Sequence, residues 1–215
     1  MCAAMGQYVP AAGYRTTEKD KRVESGRDTI QADGRRRRSA DSRRRIVEAM
    51  LELVREGDLS PSADAVASRA GVGRRTVFRL FSDMEGIYRE MQAIMRDKVA
   101  PVRALPLTGD TLEARLHALV ERRVLFFEEV LPVTVAAGVH RHRSPVLQAD
   151  HKAIQSELRG ILMAVLGPDA GAELTEALDA VLSIDMWRRL RMEQRMDPAA
   201  ATAVLHRLAA GLVGV

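Results

Sequence analysis

The chain has 215 residues, with 33 lysines and arginines against 29 aspartates and glutamates, 47% apolar residues, 4% aromatic residues and one cysteine. This composition fits a globular protein of one large or two small domains in a reducing cytoplasm, and with Cys2 alone it excludes a disulfide framework or a tetrathiolate metal site. No run approaches the roughly 18 uninterrupted apolar residues of a spanning helix, and no apolar signal core follows the N-terminus, so neither a membrane partner nor secretion is expected.

The net charge of +4 is unevenly placed: residues 1–100 carry 20 basic and 15 acidic groups, and the remainder 13 and 14. A basic first half suits a polyanion, and equally a solvated charged surface. Residues 1–38 show no sustained period and are rich in Gly, Arg, Asp, Ser and Thr, which predicts a disordered basic arm. It ends in Arg35 to Arg38, with Arg43, Arg44 and Arg45 close behind. Such an arm suits a DNA minor groove or a merely solubilising tail.

From Ser39 onward the apolar spacing is helical throughout, and the expected fold class is all-α. The first helix carries Ile46, Met50, Leu53 and Val54, with Gly57 at its C-terminal cap. A short second helix from Ser62 places Ala63, Val66, Ala67 and Ala70 inward; Gly71-Val72-Gly73 breaks it, and a third runs from Arg74 to about Phe81. Ser82 and Glu85 are spaced as a capping box for a long fourth helix carrying Ile87, Met91, Ile94 and Met95. Pro101, Pro106 and Gly109 predict a hinge. One further helix carries Leu112, Leu116, Leu119, Val120 and Phe127, and Pro132 is expected to stop or kink it. Ser144-Pro145 opens the next, with Leu147, Ile154, Leu158, Ile161 and Val165, up to Gly167. Two more follow: one with Leu174, Leu178, Val181 and Leu190, and one opened by Asp197-Pro198 with Val204, Leu208 and Leu212.

A short helix, a glycine turn and a second short helix between longer ones is the arrangement of a helix-turn-helix DNA reader; an ordinary αα-hairpin with a charged face has the same outline. Small residues Ala67 and Ala70 permit a close crossing, Val72 and Val77 plug the core, and Arg74, Arg75, Thr76, Phe78 and Arg79 face outward. Arginine forks match guanine edges and phosphates.

The stretch from Ser62 to Phe81, with its Ala-Gly-Val turn and Thr76-Val77-Phe78, resembles the DNA-binding domain of tetracycline-repressor-type (TetR-type) regulators, and residues 45–91 follow that family's helix order. The resemblance continues more loosely to the end, with Trp187 in the penultimate helical region. It implies a helix-turn-helix domain at 39–84 and a helical regulatory and dimerisation domain at 85–215, with the fourth helix as connector. It implies base reading by Arg74, Arg75 and Arg79 and backbone contact by Thr76 and Phe78, within a DNA-facing set that adds Arg43, Arg44, Arg45, Ser62 and Gly73. Phe78, Leu80 and Met84 stand where the family usually has Tyr, His and Lys, and Asp64 adds a negative charge, which shifts affinity toward the helix-three arginines and Arg43 to Arg45. The implied partners are double-stranded DNA with a palindromic operator, a second copy bound through the last two helices, and a small-molecule effector that releases a repressor.

In the second half, His140, His142 and His151 match no compact metal-ligand spacing, and neither a phosphate loop nor a nucleophile elbow is present, so neither metal, cofactor nor catalysis is expected. Adjacent Glu128 and Glu129 point to different sides of a helix. Asp185, Met186 and Trp187 with Phe126, Phe127 and Met163 are the candidate ligand pocket, ordinary core packing being the competing account. The rival functional reading is a non-specific nucleic-acid-binding or helical interaction protein that uses its basic arm.

Overall fold

The computed structural model describes the backbone of residues 18–214 and the side chains of residues 34–214. Among these residues the regular structure is entirely helical, as the periodicity predicts: α1 (Glu18–Arg55), α2 (Ala63–Arg69), α3 (Arg74–Leu80), α4 (Met84–Arg103), α5 (Leu112–Arg141), α6 (Pro145–Leu166), α7 (Ala172–Val181), α8 (Ile184–Arg188), a π-helical turn (Arg189–Glu193) and α9 (Pro198–Val213). The chain divides into compact units Met1–Ser42 and Arg43–Val215, and every candidate site residue lies in the second. No described helix is long and apolar enough to cross a membrane.

α1 begins upstream of Ser39. Arginine is a good helix former and no proline interrupts residues 18–55, so Arg35 to Arg38 continue the helix where an arm without regular structure was expected. The part of that arm before Glu18 lies outside the described residues.

Two apolar clusters organise the second unit. The first gathers Ile46, Met50 and Val54 of α1, Val66 and Ala67 of α2, Val77 of α3 and Ile87, Met91, Met95 and Val99 of α4. Val133, Ala136 and Ala137 of α5 and Leu147 of α6 complete it. The second contains Leu119 and Phe127 of α5, Leu162 of α6, Leu178 of α7, Trp187 of α8 and Leu205 of α9, all fully buried. Phe126 and Val130 pack against both. These faces follow from the i, i+3, i+4 spacing of the apolar residues, and their burial supplies most of the helical stability.

Four local expectations differ from the structure. The cap of α4 is Asp83 and not Ser82: its carboxylate accepts the Gly86 amide at 2.8 Å, while Glu85 sits in the first turn, where the helix dipole favours it. α4 continues through Pro101 to Arg103, so the break between the halves falls at 104–111. α5 runs through Pro132; buried Leu131 and Val133 on either side offset the cost of about 3 kcal/mol that an interior proline imposes. The single helix expected through Leu174, Leu178, Val181 and Leu190 is broken at Leu182, because Ser183 caps a new helix by accepting the Met186 amide at 3.1 Å.

Candidate nucleic-acid interface and ligand cavity

α2 and α3 form a helix-turn-helix. The Ser62 hydroxyl caps α2 by accepting the Ala65 amide at 3.1 Å. Gly71 adopts φ +61, a left-handed angle that a β-carbon disfavours, and this turns the chain within three residues into α3. Gly73 caps α3 in an extended conformation, with φ −73. Buried Val77 anchors α3 to the first cluster, which fixes the helix's outward face.

That face carries Arg75, Phe78 and Arg79 at i, i+3 and i+4. Phe78 is 48% exposed, and among the described residues neither arginine has an ion pair. Arg74 is held differently: its Nη1 donates to Asp64 at 3.0 Å and its guanidinium lies 5.5 Å from the Phe78 ring centroid. Asp64, read from sequence as a mere local negative charge, therefore orients an arginine. Thr76 is half-buried on the flank of α3.

The consecutive arginines Arg43, Arg44 and Arg45 of α1 separate in role. Arg43 is spent inside the protein, where its Nη1 donates to the Leu80 carbonyl at 2.7 Å, it pairs with Glu90, and it lies over the Phe81 ring at 4.3 Å. It clamps α1 onto the junction of α3 and α4. Arg44 lies 3.9 Å from Glu48 one turn on, and exposed Arg45 lies beside Gly71.

The other candidate set is dispersed. Phe127 and Trp187 are fully buried in the second cluster, Met186 packs against it, Met163 is 53% exposed and Asp185 lies on the surface. The Trp187 Nε1–H donates to Glu128 at 2.9 Å and Arg191 donates to the same carboxylate at 2.8 Å. Glu129 faces the other way, pairing with Arg55 at 2.8 Å and with Lys98. Of the six, Asp185 lines a shallow pocket between α5 and α8 with Ile184 and Arg188, and Phe126 lines a second, more apolar cavity.

That cavity, of about 190 Å³, lies among α4, α5 and α6. Its apolar wall includes Met95, Val99, Leu119, Phe126, Val133 and Ile154. Five arginines (Arg96, Arg103, Arg122, Arg123 and Arg141) and His151 also line it, against only two carboxylates, Asp150 and Glu157. Sequence reasoning missed these arginines because helical spacing marks apolar faces, whereas a charge buried on one of them reads as an interruption.

His151 is pushed below its ordinary value of 6.5 by burial and by the Arg141 charge, with Asp185 opposing. The unfolded chain thus holds the His151 proton more tightly, and this contribution to stability rises with pH through the interval just below 6.5. Denaturant midpoints at about pH 5.5 and about pH 7.5 should differ less in His151→Gln than in the unaltered chain.

His117, Glu121 and His206 form the one cluster among the described residues whose spacing approaches a metal shell. Their ligand atoms lie within 4.8 Å of one another, the two rings stack at 4.2 Å, and His206 Nε2 already lies 2.6 Å from Glu121. Tetrahedral zinc bonds of about 2.1 Å ask for a tighter, convergent set.

No protein-family model and no curated protein sequence matches this chain. Two solved structures do. A transcriptional regulator from Rhodococcus sp. Rha1 superposes with a TM-score of 0.64 at 20% identity, covering 80% of this chain and 96% of its own. A proposed transcriptional regulator from Streptomyces coelicolor A3(2) superposes with a TM-score of 0.55 at 20% identity, covering 78% of this chain and 98% of its own. The chain therefore has an all-α fold, a helix-turn-helix domain followed by a helical bundle, that is shared with these regulators.

Proposed function

We propose that this chain is a cytoplasmic, sequence-reading DNA-binding regulator of TetR type, a homodimeric repressor released by a small molecule. The observation that carries the reading is the outward face of α3, where Arg75 and Arg79 stand one turn apart, exposed and without ion pairs among the described residues, on a helix held by Val77 and Gly71. Free arginine forks on a short, rigid helix suit major-groove guanines, while Ser62, Gly73, Arg44, Arg45, Thr76 and Phe78 border that face as candidate backbone contacts. In the two superposed structures the same fold belongs to proteins described as regulators.

Release has a physical route. Met95, Val99, Val133 and Ala137 line the cavity and also belong to the cluster that seats α2 and α3. A ligand that prefers a different spacing of α4 and α5 would shift the head through those shared side chains, with a coupling of typically about 1–3 kcal/mol. Dimerisation is supported by Leu208 and Leu212, which are each 38% exposed one turn apart on α9. Leu208→Glu with Leu212→Glu should yield a monomer by light scattering and reduce operator affinity by at least tenfold.

Selection of bound duplexes from a random DNA pool at physiological salt tests the whole reading. A recovered palindrome is expected. DNA retained only at low salt, with no motif, would instead favour a non-specific nucleic-acid binder that uses its basic segment.

A further inference from the structure

Arg123 sits at the wall of the cavity under unusual conditions. It is 2% exposed, its Nη1 donates to the Leu182 carbonyl at 2.6 Å and its Nη2 to the Leu158 carbonyl at 2.6 Å, and its buried Nε has no partner. No carboxylate pairs with it among the described residues, since the nearby Asp179 is engaged by Arg159 at 3.2 Å. Burial lowers its pKa to about 10, so it is still charged at neutral pH. A buried cation that hydrogen-bonds only to carbonyls, with the Asp179 charge shared with Arg159, is costly, and the cost falls when an anion arrives. Two more of the wall arginines, Arg96 and Arg141, have no ion pair among the described residues, whereas Arg103 pairs with Glu157 and Arg122 donates to the Leu105 carbonyl at 2.9 Å.

We propose that the cavity takes an organic carboxylate with a compact apolar body, whose acid group is neutralised at Arg123 while the body lies against Phe126 and Ile154, about one turn further along α5 and α6. The room suits this class: about 190 Å³ exceeds the roughly 150 Å³ of an engineered cavity that accepts benzene. Cations are excluded by the surplus of arginine, and a neutral body of equal shape leaves the buried charge uncompensated. This inference rests on the cavity being a ligand site, as the proposed function has it.

Calorimetric titration of the full chain, without DNA, tests it with benzoate and 2-naphthoate, their amides and the matching amines, up to about 10 mM. A carboxylate is expected to bind about tenfold or more tightly than its amide, and the amines not at all. Arg123→Leu, which exchanges the buried charge for an apolar side chain, should remove the acid-over-amide preference while circular dichroism shows the fold kept. Arg141→Ala alters a wall residue roughly 27 Å further along α5 and should leave the acid-over-amide preference unchanged; its loss there would place the acid at the far end of the cavity and overturn the assignment to Arg123, a comparison that serves even if the Arg123 variant fails to fold. Equal binding of acid and amide, no binding by any carboxylate, or an unchanged preference in a folded Arg123→Leu would overturn the proposal. Because the readout involves no operator, a carboxylate that binds without releasing DNA sinks only the release mechanism.

Discussion

Replacing Arg75 or Arg79 with alanine should weaken operator binding by about 1–3 kcal/mol each, roughly 5- to 150-fold, and relax base choice at the contacted position. Among the described residues neither guanidinium has an ion pair to lose, and both are exposed, so thermal stability should hardly change. Arg43→Ala should behave in the opposite way. Its partners are the Leu80 carbonyl, Glu90 and the Phe81 ring, all within the protein. Its loss loosens the seating of α3 and lowers the melting temperature, and it weakens every duplex alike. Fluorescence anisotropy on operator and mismatched duplexes, beside thermal unfolding, separates the two patterns. If Arg75→Ala lowered affinity for all sequences equally, α3 would be a backbone clamp and not a reader.

Trp187→Ala should cost about 3–5 kcal/mol, as large-to-small changes of buried aromatic residues do, against a total stability of typically about 5–15 kcal/mol. Trp187 is fully buried in the second cluster, and its Nε1–H helps hold Glu128 of α5, which Arg191 also engages. Truncation would leave a large cavity in the second cluster. Trp187→Phe keeps most of the ring volume, and Glu128 keeps Arg191, so its cost should be well under half as great. Urea unfolding followed by circular dichroism reads both, since the chain has no other tryptophan to report by fluorescence. Equal stability of the alanine variant and the unaltered chain would mean that the second cluster does not depend on this side chain.

The head was legible in the sequence because its signals are local. A hydroxyl at Ser62, glycine where a positive φ is required at Gly71, and Val66 and Val77 at core spacing each act over a few residues. Proline misled, since Pro101 and Pro132 both lie inside helices whose packing offsets the missing donor. The break at Leu182–Ser183 was hidden because the apolar period runs straight across it. In the same way, Asp185, Met186 and Trp187 share a segment but not a surface: one is on the outside, one packs half-buried and one fills the core. Arg123 shows the deeper limit, for its partners are carbonyls 35 and 59 residues away, and nothing in local spacing reports where a distant backbone oxygen will fall.

The helix-turn-helix has no floor of its own. Val133, Ala136 and Ala137 of α5 and Leu147 of α6 close its underside, and Phe126 and Val130 continue that contact into the second cluster. A fragment cut in the 104–111 linker would turn an uncovered apolar surface to water and should aggregate or remain loosely packed. Chimeras that graft this head onto another bundle meet the same obstacle, because the natural seam for recombination runs through the middle of two helices and not along the linker between them.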